Sequence, residues 1–369
     1  MTKEVIIVGG SYSAMYAAKS ILLKKHGAKV NLKIISPSQF GYFNIAAPRL
    51  LIEPELIDKT LTDIEATIRN LSSASKSDAV FIKGSVDTVD LEKKIVSLAD
   101  GQKFQYDNLI IATGTKYHQP GLKLDDINDE KYTVQGVREL IASIKKADSI
   151  AVIGGGATGV EIAGELGSEY DDKRITLYTG SSNPLSAVKQ SIRVDATNKL
   201  KSYGVEVINN AKVAKIDSSA NKTVITLDDK ETREFDLVIP VHSTTPNSLF
   251  LKNYKQVLDA NGYLIADEYL RLKGYNEVLV IGDVLSGSLR SLVDIVYYQK
   301  SVFDKTIDQE IFGVQVKLKS YDNTSAPMLL VPISRNGGVG TAFGFALPNL
   351  VVKYKSRDFF ISKARQHFT

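Results

Sequence analysis

Apolar and polar positions along the chain fall into blocks in which a short apolar run leads into a small-residue turn and then into helical spacing. Val5-Ile6-Ile7-Val8 is apolar at every position, which predicts a strand covered on both faces in a parallel sheet. Gly9-Gly10-Ser11-Tyr12-Ser13-Ala14 reads as a tight turn, and Ala14, Ala17, Ala18, Ile21 and Leu22 then share one helical stripe. Leu32-Lys33-Ile34-Ile35-Ser36 completes a strand–helix–strand unit. A second such unit starts at Ile150-Ala151-Val152-Ile153 and turns through Gly154-Gly155-Gly156-Ala157-Thr158-Gly159. It continues as a helix to about Tyr170 and closes on residues 174–178. This duplication, at a domain-sized period, is the only internal repeat.

Between and after the units the pattern predicts a helix over 50–71, short strands with a hairpin over 80–98, and a buried strand from Tyr106 into Ala112-Thr113-Gly114. A polar stretch at 121–129 suggests a boundary near 118–130, followed by a helix over 133–146. Further strands are expected near 205–208, 223–227 and 235–240. One more runs through Val278-Leu279-Val280-Ile281 into Gly282-Asp283, with a helix then reaching about Ile307. The last sixty or so residues read as a strand-rich cap with glycine turns and a basic, aromatic end.

Composition narrows the chemistry. With 369 residues, 43% hydrophobic and 24% charged, the chain can fill more than one domain core. A net charge of +4, spread along the chain, gives no reason to expect nucleic acid. There is no cysteine, which excludes disulfides, thiolate metal sites and a redox-active dithiol. The four histidines, His26, His118, His242 and His367, have no metal-ligand spacing, and no metal is expected. No signal peptide or bilayer-length apolar run is visible, and Thr2 stands where N-myristoylation needs glycine.

Strand, Gly-x-Gly-x-x-Gly, helix is the arrangement that a dinucleotide pyrophosphate requires. It offers backbone N–H donors at the positive end of a helix dipole, with no side chain in the way. Gly154, Gly156 and Gly159 match in full, with Thr158 inside the motif and Thr179 at the end of the following strand. The first cradle keeps Gly9 and Gly10 but places Ser11 and Ala14 at the second and third glycine positions. Neither unit has the acid that usually holds the adenosine ribose: the second strands end in Ile35-Ser36 and Tyr178-Thr179. The choice between NADH and NADPH therefore stays open, with Ser181, Ser182 and Arg193 as weak candidates for a phosphate contact.

The order of first cradle, Ala112-Thr113-Gly114, second cradle, Pro246-Asn247 and Gly282-Asp283 resembles the two-dinucleotide flavoprotein oxidoreductases. That group includes glutathione reductase, ferredoxin reductase, apoptosis-inducing factor and the type II NADH dehydrogenases. The resemblance implies an α/β fold of two Rossmann-like domains, binding FAD and NADH or NADPH, with a small C-terminal α+β cap. The expected division is 1–120 and 246–308 for FAD, 121–245 for NAD(P)H, and 309–369 for the cap. It also implies that Asp283 meets the flavin ribityl chain.

Ser334-Arg335-Asn336-Gly337-Gly338-Val339-Gly340 and Lys355-Ser356-Arg357-Asp358-Phe359-Phe360 are similar to the C-terminal signature of AMID-type, ferroptosis-suppressor-like members of the apoptosis-inducing-factor group. Tyr42-Phe43-Asn44 and Pro48-Arg49 are similar to fungal members. This resemblance implies hydride transfer from NAD(P)H through FAD to a quinone or another small acceptor. Glu161 is then expected to face the nicotinamide, Lys355 and Phe360 to lie against the flavin and the acceptor site, and Arg49 to touch the flavin. A helix N-terminus near 290–293 is expected to face negative charge on the reduced ring. Two other readings are a reductase of a small redox protein and a weakly catalytic dinucleotide sensor.

In helical register Phe360, Ile361, Ala364 and Phe368 share a side, with Lys355, Arg357, Lys363 and Arg365 adding positive charge. Such a tail suits an anionic headgroup layer, although it equally suits packing on its own domain. The expected location is cytoplasmic, peripheral on an intracellular membrane such as a lipid droplet or the mitochondrial outer surface. Nothing in the sequence addresses oligomeric state.

Overall fold

The computed structural model describes residues 2–25, 28–124, 130–219, 222–322 and 328–368, with backbone alone at 130–132. His26 and residues 125–129 of the expected boundary lie outside these. Two parallel sheets dominate. The first has six strands, in the order Arg271–Leu272, Tyr275–Val280, Asn108–Ile111, Lys3–Val8, Val30–Ser36 and Asp78–Lys83. All neighbours pair in parallel except Arg271–Leu272, which runs antiparallel at the edge. Val5, Ile6 and Ile7 are fully buried, as a strand covered on both faces requires. The second sheet has four strands, in the order Glu206–Ile208, Arg174–Tyr178, Ser149–Ile153 and Leu237–Pro240, again parallel.

In both sheets the opening strand of the unit lies between its own second strand and a strand from much later in the chain. The strand order therefore reverses at the carboxyl end of Lys3–Val8 and again at that of Ser149–Ile153. Ligands of open α/β sheets bind in the crevice that such a reversal leaves. Thr115–Lys116 pairs with Thr245–Pro246 as a short antiparallel link between the two units.

A third region packs on the second unit. Leu329–Ser334, Gly337–Ala342 and Phe345–Ala346 form an antiparallel sheet, followed by the helix Asn349–Ser356 and a 3-10 turn at Ile361–His367. A Cβ on Gly164 would collide with the Ile333 carbonyl oxygen, so the helix Ala157–Glu169 lies directly on this sheet.

Several local expectations change. Residues 50–71 are not one helix. Pro54 starts a 3-10 turn to Thr60, Leu61–Asp63 pairs with Phe40–Tyr42, and Asp63 caps a new helix by accepting from the Ala66 N–H at 2.9 Å. The expected single helix ending near Ile307 is a π-helical segment Asp294–Gln299 followed by Lys300–Glu310. The tail departs most: Ile361, Ala364 and Phe368 are buried within the protein. Phe368 packs on Tyr12 at 5.0 Å, while His367 stacks on Phe43 at 5.7 Å and bonds the Tyr16 hydroxyl at 2.8 Å. The apolar side expected to meet a membrane instead closes the first unit's core. No helix among the described residues is long and apolar enough to cross a membrane.

Candidate dinucleotide sites and the junction between them

At the first reversal point Gly9 has φ +131°, a conformation L side chains rarely adopt, and a Cβ there would strike the Ala112 carbonyl oxygen. Gly9 donates to Ile35 O at 2.8 Å and Ala112 donates to Val8 O at 2.8 Å, fixing the loop between both neighbouring strands. Gly10 is held short of a side chain by Ser36 and Ile64. Ser11 is the N-cap residue of the helix Tyr12–Leu22 but makes no side-chain cap bond. The first helical bond is Met15 N–H to Ser11 O, so the N–H groups of Tyr12, Ser13 and Ala14 face the end of the helix. Ala14 is fully buried, the packing role of a third glycine. Gly282, at φ +93°, packs against the Ser13 side chain and brings the late strand's turn onto this loop.

Thr113 and Gly114 form the far wall. Thr113 Oγ1 donates to Asn247 O at 2.6 Å, Asn247 Nδ2 donates back to Thr113 O at 3.0 Å, and Asn247 N–H donates to Gly114 O at 3.0 Å. Asp283 projects beside this wall, where Lys123 Nζ reaches its Oδ2 at 2.6 Å and Thr115 Oγ1 at 2.6 Å. Lys123 had no motif to announce it. The π-helical segment explains why the Gly282-Asp283 turn is firm: Gln299 Oε1 accepts the Gly282 N–H at 2.6 Å, and Gln299 Nε2 donates to buried Asp294 at 2.7 Å. A π-turn places residues five apart over one another, which is the spacing of these two side chains. The helix expected near 290–293 therefore begins in a buried polar network.

The second cradle is built more openly. Gly154 has φ +132°, and a Cβ there would meet His242 N at 2.9 Å. A Cβ on Gly159 would collide with Gly154 O, so that position must be glycine for the helix to close on the loop. Gly156, by contrast, would meet nothing within 4 Å. Its missing side chain opens onto space outside the protein at the helix N-terminus, where a pyrophosphate needs access. Val160 N–H bonds Gly156 O, leaving the N–H groups of Ala157, Thr158 and Gly159 directed at that space. Thr158 Oγ1 meets the Tyr117 hydroxyl at 3.2 Å, and Thr179 is buried against Gly155. Arg193 donates to Ser182 Oγ and Asn183 O at 3.1 Å each, placing one cation beside the strand end that lacks an acid. Both cradles thus fit the pyrophosphates expected of FAD and a nicotinamide dinucleotide.

The helix behind the second cradle carries Glu161, Glu165 and Glu169, spaced four apart on one face. Each meets a cation from a different part of the chain. Lys355 Nζ donates to Glu161 Oε1 at 2.6 Å and to Leu330 O at 2.9 Å. Arg49 grips Glu165 with Nε and Nη2 at 2.8 and 3.0 Å, and Arg335 meets Glu169 at 2.9 Å and Glu53 at 2.7 Å. Burial pushes the Glu161 carboxyl above its ordinary range, with Lys355 opposing and Glu165 reinforcing the shift. Burial likewise raises Glu165 against the pull of Arg49.

Arg49 is 1% exposed, and the partners the structure gives it are protein groups. Beyond Glu165 it donates to Ser356 O at 2.9 Å and Arg357 O at 3.3 Å, and its guanidinium lies over the Phe359 ring at 5.1 Å. It lies at a junction between three parts of the protein. Phe359 and Phe360 have φ of +50° and +61°, two consecutive left-handed residues without glycine. Phe360 stays partly exposed and packs on Tyr354 at 5.7 Å. The sequence reading missed Glu165 and Lys123; the four-residue spacing of glutamates was the available signal for Glu165. Among the described residues no group of His, Cys, Asp or Glu could hold a metal ion.

Known proteins agree with this architecture. "Oxidoreductase ptaL" of Pestalotiopsis fici is 30% identical, covering 97% of this chain and 96% of its own. "Ferroptosis suppressor protein 1" of Xenopus tropicalis is 30% identical, covering 98% and 94%. Among solved structures, the sulfide:quinone oxidoreductase of Aquifex aeolicus superposes with TM-score 0.74 at 14% identity, over 99% of this chain and 92% of its own. The ferredoxin reductase of Rhodopseudomonas palustris gives 0.68 at 17% identity, over 87% and 78%. The sequence profile of the pyridine nucleotide-disulphide oxidoreductases matches residues 3–301, although no cysteine is present for disulfide chemistry. The chain belongs to that family, as an oxidoreductase whose cofactors are FAD and NAD(P)H.

Proposed function

We propose that this FAD-dependent oxidoreductase delivers the electrons of NAD(P)H to a quinone-type acceptor. The observation that carries the reading is the Lys355–Glu161 ion pair. It joins the nucleotide-binding helix to the C-terminal region beside the strained Phe359–Phe360 turn. FAD, when bound, supplies the two-electron chemistry between donor and acceptor. The remaining work belongs to the chain. The N–H groups of Ala157, Thr158 and Gly159 bind the nucleotide pyrophosphate, and Asp283 with Lys123 orients groups at the first cradle.

A quinone takes up two electrons and two protons to become a quinol, whereas the nicotinamide hydride carries two electrons and one proton. The second proton must come from an acid at the site. Lys355 Nζ, an ammonium held by the Glu161 carboxylate and Leu330 O, is the acid this junction places there. The absence of cysteine removes the dithiol route that would otherwise compete. The same fold serves a quinone reductase in the Aquifex aeolicus neighbour. We also propose a cytoplasmic location, peripheral on an intracellular membrane.

The test is anaerobic mixing of yellow holoprotein with NADH or NADPH, followed by a quinone analogue or a ferredoxin. Bleaching by the nucleotide and recolouring by the quinone are expected. Lys355→Met should slow recolouring at least tenfold while leaving nucleotide binding intact, as loss of one general acid does. Recolouring by ferredoxin and not by quinone would replace this reading with a small redox protein reductase.

A further inference from the structure

We infer that the outer face of the C-terminal hairpin and helix is a docking surface for an anionic lipid membrane. Ile361, Ala364 and Phe368 of the tail are buried, so this face differs from the one the sequence suggested, sharing only the partly exposed Phe360 with it. Phe343 and Phe345 at the hairpin, and Leu350, Val351 and Tyr354 on the helix, are 77, 72, 79, 42 and 50% exposed. Five large apolar side chains exposed within residues 343–354 are what a soluble surface avoids unless something covers them.

The cluster sits on a stiff base. Asn349 accepts from Gly338 N–H at 3.0 Å and donates to Asn336 O at 3.1 Å, binding the helix to the strand Gly337–Ala342. Thr341 Oγ1 donates to Phe345 O at 3.0 Å, and Val352, on the inner side of the same helix, is fully buried. The outward positions are therefore held out by packing.

Charge selects the occupant. Lys189 lies 5.3 Å from the Phe345 ring centre, Lys363 bonds the Tyr354 hydroxyl, and Lys353 is exposed between them. Residues 337–369 contain one acidic side chain, Asp358, against Lys353, Arg357, Lys363 and Arg365, besides Lys355, which Glu161 neutralises. Asp358 is itself engaged by the N–H groups of Phe360 and Ser362. A second copy packed face to face about a twofold axis would set this basic rim against itself, without carboxylates to meet it. An anionic headgroup layer accepts the same lysines while the aromatic tips enter the acyl boundary. Tyr354 touches Phe360, and Lys355 is the next residue, so the face is continuous with the acceptor end of the site. A bilayer-dissolved quinone with a long apolar chain would then reach Phe360 without crossing water; this last step rests on the quinone reading above.

The experiment is flotation of holoprotein with phosphatidylcholine vesicles, with and without phosphatidylserine, alongside sedimentation velocity without lipid. The native protein should float with the anionic vesicles, less with neutral ones and less at high salt. The exposed double variants Phe343→Ser/Phe345→Ser and Lys189→Glu/Lys353→Glu should each lose roughly tenfold or more in partitioning. Both should keep native flavin content and turnover with a short water-soluble quinone. Absence of flotation, or equal flotation of the variants, overturns the inference. So does a concentration-dependent dimer that Phe343→Ser/Phe345→Ser dissolves while no protein floats; the face would then belong to a second copy. Flotation without reduction of any quinone would leave the docking surface standing and remove the quinone reading instead.

Discussion

The two cradles share one motif and differ in what closes them. At Gly9–Ala14 Ala112 lies beneath Gly9, Ser36 and Ile64 against Gly10, and the late Gly282 turn against Ser13, while the middle position carries the Ser11 side chain. At Gly154–Gly159 the first and third glycines are equally crowded, but Gly156 opens onto nothing within 4 Å. The loops differ at the middle position, which carries a hydroxyl in the first and is bare in the second. A further contrast lies behind the loops. The first helix buries its alanines in its own unit and meets the tail through Tyr12 and Tyr16, whereas the second is tied to other regions by the ion pairs of Glu161, Glu165 and Glu169.

If that contrast is sound, damage to the closed cradle should be the most severe. Gly9→Ala, strained in φ and blocked by Ala112, is expected to lower stability by about 4 kcal/mol and to strip flavin. A thermal melt and the flavin-to-protein absorbance ratio would show it; retained flavin and an unchanged melt would mean that the loop is looser than described. Next in size, Glu165→Gln takes from the buried Arg49 guanidinium its two-pronged carboxylate, leaving only Glu53 at 3.3 Å, and should destabilise by about 3 kcal/mol. Chemical denaturation measures this, and an effect near zero would show that the junction is not a structural tie.

Gly156→Val sharpens the comparison from the other side. A Cβ there meets no protein atom within 4 Å, so the melt should be little changed while KM for NAD(P)H rises about tenfold, roughly 1.4 kcal/mol of binding. A lowered melt with unaltered KM would assign Gly156 a packing role. The smallest effect concerns the first unit's cover. His367 has its pKa lowered by burial, and by Lys19 and Lys363, below the ordinary 6.5. The unfolded or undocked tail therefore binds more protons than the docked one as pH falls through 6.5, and docking weakens with acidification. Proteolysis within 361–368 should speed up below pH 6.5 in the native protein and lose that dependence in His367→Phe.

Much of the fold was legible because its signals are local. Val5-Ile6-Ile7-Val8 and Ile150-Ala151-Val152-Ile153 can only be strands covered on both sides, and a glycine turn followed by a small-residue helix leaves few alternatives. Residues 50–71 misled because apolar spacing there was helical on average, while Pro54 and the Asp63 cap divide the segment. The tail misled for a different reason. An amphipathic stripe states that one side must be covered but not by what, and here Tyr12, Gly41 and Phe43 supply the cover.

By itself the sequence determined the two phosphate-binding loops, the lack of a dithiol and the missing ribose acids, because each depends on residue type at short spacing. Only the tertiary structure decided which charges meet. Lys355 and Glu161 are 194 residues apart, Arg49 and Glu165 are 116 apart, and Lys123 and Asp283 are 160 apart. Pairing over such separations follows from how the sheets and the cap pack, not from any local pattern. The same packing buried the apolar side of the tail and left Phe343, Phe345 and Leu350 outside.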